Sequence, residues 1–121
     1  RPPNSNLYTD LGATFAILMN TPMALCHDMG KLLRWIGSDH ICWGTDSPIW
    51  GAPQFLIDAF RKFTMPDELI GGYGYPEFTD EDKDLIFGKN MARLYDLDID
   101  AIKAGLKDDK IEQGRRDLAS L

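Results

Sequence analysis

The sequence has few cysteines and no long apolar run, and each shortage excludes a class of protein. Its two cysteines, Cys26 and Cys42, lie outside any Cys-x-x-Cys or Cys/His spacing, so no structural zinc site is expected. Both thiols are predicted to be buried and free, which fits the reducing environment of the cytoplasm. The most apolar run, residues 13–19, is far too short to span a bilayer, so no membrane partner is expected.

The chain also lacks clusters of basic residues. It contains 13 Lys and Arg against 19 Asp and Glu among 121 residues, a net charge of −6, and the two signs are interspersed. Binding to nucleic acid needs clustered Lys and Arg, so a nucleic-acid partner is not expected. The length suits one domain. The polar start is not a signal peptide, and it lacks an initiator Met, which suggests a chain cut from something longer, with a processed or tag-stripped N-terminus as the alternative.

Hydrophobic spacing predicts a strand, a helix and a second strand in close succession. Residues 6–12 and 40–43 have strand propensity. Between them, Thr21-Pro22 is a good helix start, and Gly37 ends that helix. Short connections of this kind imply two parallel strands, and a further helix beginning at Pro53 makes the order βαβα.

The rest of the chain is predicted to consist of helices and one long loop. Residues 64–78, rich in glycine, are expected to form the loop. Thr79, followed three residues later by an aspartate, is a capping signature for a helix that runs to about residue 97. Residues 98–121 are charged and helix-prone, and are predicted to form one or two surface helices divided near residues 107–109.

A carboxylate stands just past the second predicted strand. The strand ends at Gly44, Asp46 follows two residues later, and Pro48 stops further strand pairing. Ligands of α/β proteins bind beyond the carboxyl ends of parallel strands, so Asp46 is the main candidate for chemistry. The alternative is that Asp46 caps the next helix or turn, because Asp is common in such positions.

The neighbours of Asp46 are weaker candidates. Thr45 and Ser47 could hydrogen-bond its carboxylate and hold it in place, although simple turn chemistry explains them as well. Trp50 could line a substrate pocket, with loop packing as the alternative. His27 is predicted to lie exposed on its helix, and His40, at the start of its strand, is predicted to serve stability; neither is expected to bind metal.

Several motifs, taken together, carry a family resemblance. They are Trp43-Gly44-Thr45-Asp46-Ser47, Gly51-Ala52-Pro53-Gln54, Ala59-Phe60-Arg61, Gly74-Tyr75-Pro76 and Ile86-Phe87-Gly88-Lys89-Asn90-Met91-Ala92-Arg93-Leu94-Tyr95. Over residues 6–97 the series resembles the C-terminal part of the amidohydrolase-2 family. These proteins are metal-dependent TIM-barrel hydrolases and decarboxylases related to aminocarboxymuconate-semialdehyde decarboxylase.

The resemblance implies an α/β fold and a place within it. Residues 6–12 would be strand seven and residues 40–45 strand eight of a (β/α)8 TIM barrel. Residues 1–97 would form its C-terminal quarter, followed by a charged helical tail over residues 98–121. A full barrel needs about 250 residues, so this chain could supply only part of one.

The resemblance also implies a chemistry. Asp46 would match the acidic residue that ligates a divalent metal, most simply zinc, or shuttles a proton from metal-activated water. The substrate would be a small molecule with a carboxylate, amide or ester, and hydrolysis and decarboxylation stay open. The family's other ligands, His-x-His on strand one and histidines after strands five and six, have no counterpart, so the chain alone is expected to be inactive. The alternative is a non-catalytic interaction or structural module that keeps the partial barrel without metal.

Two parallel strands do not make a stable sheet by themselves. Their outer edges would lack partner strands, and their inner faces, at Leu7, Leu11, Ile41 and Trp43, would lack an opposing layer. Such edges and apolar faces drive association. We therefore expect the chain to bind the remainder of its own barrel or to self-associate.

Overall fold

The computed structural model describes residues 5–47, 49, 51–106 and 109–119, and shows a mostly helical α/β chain with a small sheet. Strands β1 (Thr9–Asp10) and β2 (Ile41–Cys42) pair in parallel, with Thr9 opposite Ile41 and Asp10 opposite Cys42. The predicted parallel pair is therefore present. Both strands are shorter than predicted, because a 3-10 turn, Ser38–His40, occupies the expected start of the second.

The helices follow the predicted order, with two additions, at residues 14–18 and 67–73. In chain order they are α1 (Thr14–Leu18), α2 (Pro22–Trp35), α3 (Gln54–Lys62), α4 (Asp67–Tyr73), α5 (Asp80–Asp84), a π-helical turn (Leu85–Lys89), α6 (Asn90–Leu94), α7 (Ile99–Gly105) and α8 (Lys110–Ala119).

The contacts divide the described residues into one compact unit up to Met91 and another from Ala92 onward. In the second unit, α7 ends at Gly105 and α8 begins at Lys110, on either side of the predicted division. The domain boundary at residue 97 stays a prediction. Among the described residues, no helix combines the length and apolar character that crossing a membrane requires.

Helix α4 lies inside the stretch that was expected to be a loop, so that expectation is wrong for residues 67–73. Gly71 and Gly72 lower the local helix propensity. Two acidic residues in the first turn favour the helix N-terminus, and Leu69, 6% exposed, anchors the helix in the core. Gly74 then ends it in the left-handed conformation, at a φ of 65°.

The hydrophobic core lies between the helices and one face of the sheet. Leu11 and Ile41 are 2% and 0% exposed, and the Trp43 ring packs against Phe60 and Phe87 at 4.7 and 4.9 Å between centroids. The prediction that Leu11, Ile41 and Trp43 form an uncovered inner face is therefore wrong. Side chains alternate along a strand, and the apolar set faces the amphipathic helices.

The helical segment from α5 to α6 is hydrogen-bonded to the backbone of β2 and of the turn before it. Asn90, 0% exposed, donates from Nδ2 to the carbonyl oxygens of Ser38 and Ile41, both at 2.7 Å. In the π-helical turn, the backbone N–H of Asn90 donates to the carbonyl oxygen of Leu85, five residues back. The Ile86 carbonyl in the same turn accepts the backbone N–H of Trp43 at 3.0 Å. The end of β2, which leads to Asp46, is thus held by this helix.

Candidate functional site

Asp46 lies in a tight turn beyond the carboxyl end of β2. It is exposed, and its φ of 51° puts it in the left-handed region that few residues other than glycine adopt. Its carbonyl accepts the N–H of Ile49 at 3.1 Å. The carboxylate therefore stands on a defined turn at the end of the strand where the sequence predicted it.

Thr45 and Ser47 hydrogen-bond to each other on either side of Asp46. The Thr45 hydroxyl donates to Ser47 Oγ at 3.1 Å, and the Ser47 N–H donates to Thr45 Oγ1 at 3.3 Å. These bonds are turn chemistry, and they fix the conformation of the segment that carries Asp46. A direct role for either hydroxyl at the Asp46 carboxylate stays a prediction. Trp50, the predicted pocket residue, lies outside the described residues.

A second carboxylate, Asp10, stands at the end of β1. Its Oδ1 accepts the N–H of Gly12 at 2.6 Å. A Cβ placed on Gly12 would lie 3.7 Å from this oxygen and 3.5 Å from Asp46 Oδ2, so both carboxylates border the same glycine. Asp10 is missing from the sequence prediction, because the predicted strand runs to residue 12 and places Asp10 inside it. β1 ends at Asp10, and this earlier end brings the carboxylate to the end of the strand.

Gly44 leaves the space that the Asp10 carboxylate fills. A Cβ on Gly44 would lie 2.2 Å from Asp10 Oδ1 and 3.0 Å from the Gly12 nitrogen. No side chain fits there without moving the carboxylate. The ends of the two strands therefore meet through one carboxylate, Asp10, and two glycines, with Asp46 two residues beyond Gly44.

The two carboxylates at the strand ends, Asp10 and Asp46, are too few to make a metal site by themselves. Catalytic zinc usually has three protein ligands and one open position. Within the described ranges, no three His, Cys, Asp or Glu side chains come close enough together to hold a metal ion. Asp46 has the exposure and the hard oxygen donors of one ligand, and further ligands would have to come from outside these residues.

Both histidines are engaged in packing. His27 is half-buried, with Nδ1 3.0 Å from the Tyr75 hydroxyl and its ring edge-on to Tyr73, so the prediction of an exposed side chain is wrong. The reason is that Tyr73 and Tyr75, at the end of α4 and just beyond it, cover α2. His40 is buried, stacks on Tyr8 at 4.3 Å and has Nε2 3.0 Å from the Ser5 carbonyl oxygen.

Two other features lie away from the strand end. Burial raises the pKa of the Cys26 thiol, which keeps it protonated and makes it a poor nucleophile. A groove of about 550 Å³ runs between α3 and α5, on the helix side of β2. Trp43 lines this groove, which does not include the strand-end carboxylates Asp10 and Asp46. The other lining residues are Ile57, Arg61, Asp80, Lys83, Asp84 and Phe87.

Comparison with known families identifies the chain at the level of its class. The family model described as Amidohydrolase matches residues 5–97, well over half of the 121 residues. The chain therefore belongs to the amidohydrolase family. Comparison with the curated proteins and with the solved structures gave no match. The closer relation to aminocarboxymuconate-semialdehyde decarboxylase stays a prediction.

Proposed function

We propose that the complete protein is a metal-dependent enzyme that hydrolyses or decarboxylates a small carboxylate, amide or ester. This chain would supply strands seven and eight of its TIM barrel. The observation that carries the proposal is the position of Asp46 in a chain of the amidohydrolase family. It is an exposed carboxylate beyond the carboxyl end of a parallel strand, where ligands of barrel enzymes bind.

Asp46 has two roles open to it at that position. Its carboxylate can ligate a divalent cation, or it can accept a proton from the attacking water and pass it to the leaving group. A bound cation would supply Lewis acidity, which polarises the substrate and makes a coordinated water more acidic. The turn made by Thr45, Ser47 and Ile49 fixes the backbone of Asp46, which sets where its carboxylate starts from at the strand end.

The metal gives the first test. We expect the complete protein to retain about one divalent ion after dialysis, and to lose turnover with a chelator and regain it with Zn²⁺. The 121-residue chain alone should retain far less than one ion, because its described residues bring together only two carboxylates at the strand ends. Metal analysis of both preparations is the measurement. One tightly held ion per 121-residue chain would contradict this assignment.

A panel of small esters, amides and carboxylates then separates the reactions. Release of an alcohol or amine would identify a hydrolase, and release of CO₂ would identify a decarboxylase. A complete protein that binds no metal and acts on none of these compounds would favour the non-catalytic module.

The sheet supports association with further strands. Among the described residues β1 pairs with a strand along one edge only, so its outer edge is open to another strand. The outer edge of β2 is instead bonded to the helix that holds Asn90, through the Ile41 carbonyl and the Trp43 N–H. Leu7, 56% exposed, adds apolar surface beside β1. We propose that the edge of β1 pairs with the remainder of the same barrel, or, when this is absent, with another copy of the chain.

Light scattering tests the association. The purified 121-residue chain should have a mass above the 13.7 kDa of a monomer. Separately expressed upstream barrel segments should convert it to a complex of defined stoichiometry. A monomer of 13.7 kDa that unfolds cooperatively would show that residues 1–121 close their own fold, and would remove this proposal.

A further inference from the structure

We infer that Asp10 is the positioning residue that sets the location of the Asp46 carboxylate. The inference rests on the proposed function of Asp46. The observation behind it is that Asp10 joins the ends of both strands: it accepts a hydrogen bond from the Gly12 turn and fills the space above Gly44.

The first link is to the turn after β1. Gly12 has a φ of 47°, a conformation that its missing Cβ permits, and its N–H points to Asp10 Oδ1 at 2.6 Å. The preceding residue, Leu11, donates its N–H to the Cys42 carbonyl at 3.0 Å, which continues the pairing of the strands. Asp10 therefore fixes the turn at the point where strand pairing stops.

The second link is to the segment that carries Asp46. The Asp10 carboxylate lies where a Gly44 side chain would be, 2.2 Å from the ideal Cβ position. The backbone of Gly44 therefore passes directly against this carboxylate, and Thr45 and Asp46 follow at once. A shift of Asp10 would move this backbone, and with it the turn that holds Asp46.

The third link is the shared glycine. Both oxygens of Asp46 lie close to the position of a Gly12 Cβ, at 3.5 and 3.7 Å, and Asp10 Oδ1 lies at 3.7 Å from the same point. The Asp46 carboxylate thus lies beside the turn that Asp10 holds. Groups that orient a metal ligand from behind typically change metal affinity by about 10- to 100-fold when removed.

The test compares two substitutions of Asp10 in the complete protein, with Zn²⁺ as the probe. Asp10→Asn keeps an oxygen that can accept the Gly12 N–H and has the same size, so it should leave the affinity within about threefold of wild type. Asp10→Ala removes the acceptor and empties the space over Gly44, and it should weaken Zn²⁺ binding by about tenfold or more. Competition with a chelator measures both, and Asp100→Ala, at an exposed position on α7, is the matched control.

Turnover and stability complete the experiment. Asp10→Ala should lower kcat more than it raises KM, because a displaced Asp46 carboxylate stabilises the transition state less while substrate binding is little changed. Its urea midpoint should stay near that of Asp10→Asn. If Asp10→Ala does not fold, Asp10→Ser replaces it, because a hydroxyl can still accept the Gly12 N–H but is too short to cover Gly44.

Gly44→Ala provides a second route to the same displacement. The added methyl should push the Asp10 carboxylate aside and weaken Zn²⁺ binding as Asp10→Ala does. In the double variant the two effects should not add, because both act through the same contact. Fully additive losses would overturn the inference.

The remaining outcomes are also decisive. Equal losses in Asp10→Asn and Asp10→Ala would show that the charge itself acts on the metal or substrate, and would overturn a positioning role. Wild-type behaviour of Asp10→Ala, combined with an inactive Asp46→Asn, would overturn this inference alone. If Asp46→Asn keeps wild-type affinity and turnover, the proposed function fails, and the inference about Asp10 fails with it.

Discussion

Asn90→Ala is expected to lower the free energy of unfolding by about 3 kcal/mol, since each buried acceptor left without its donor costs about 1–3 kcal/mol. The side chain is 0% exposed and donates to two carbonyl oxygens, those of Ser38 and Ile41, each at 2.7 Å. Without the carboxamide, the buried Ile41 carbonyl and the partly buried Ser38 carbonyl both lose this donor, and a small cavity remains.

The matched control for Asn90→Ala is Asn20→Ala, at an exposed position between α1 and α2. Substitutions at such positions usually change stability by less than about 0.5 kcal/mol. Urea unfolding of the complete protein, followed by tryptophan fluorescence, measures both variants. If Asn90→Ala lies within 1 kcal/mol of its control, as an order-of-magnitude criterion, the two hydrogen bonds do not hold β2 to the helix in the way described.

Local signals in the sequence predict the helices well where they are explicit. Thr21-Pro22 begins α2 and Gly37 follows its end, as predicted. The Thr79 signature is a capping box in the structure, with the Asp82 carboxylate accepting the Thr79 N–H at 2.8 Å. These motifs depend on atoms within a few residues of each other, so the sequence contains the information needed to place them.

Features that depend on distant contacts are not predicted. Helix α4 forms despite two glycines because Leu69 is buried in the core, and His27 is half-buried because Tyr75 packs across it. The predicted strand of residues 40–43 is too short for its sequence to show which of its two faces packs against the helices. The sequence therefore placed Ile41 and Trp43 on an uncovered face, whereas both pack in the core.

In the candidate site, too, the residue marked by local sequence was predicted and the one that depends on a distant contact was missed. The strand-end rule selects Asp46, because glycine, carboxylate and proline follow one another in sequence. The role of Asp10 depends on its approach to Gly44, a residue 34 positions away, which only the pairing of the strands reveals. In the sequence, Gly44 indicates only the end of a strand. The structure shows why a side chain is excluded there, since the Asp10 carboxylate occupies the space that it would need.

Asp46→Asn in the complete protein is expected to reduce turnover at least about 100-fold, the contribution of a positioned proton acceptor. The fold should survive, for two reasons. The side chain is exposed, and the backbone at this position has a φ of 51°, a region in which Asn is among the best tolerated residues. Asp46→Ala would strain this turn, so Asn is the cleaner substitution.

The control for Asp46→Asn is Asp100→Asn, which removes the same charge at an exposed position of α7. Turnover, Zn²⁺ content and the urea midpoint should be compared across the three proteins. Loss of both turnover and zinc would favour Asp46 as a metal ligand, whereas loss of turnover with zinc retained would favour a proton shuttle. Wild-type turnover with metal bound would show that neither role belongs to Asp46, and that its carboxylate serves only the turn in which it lies.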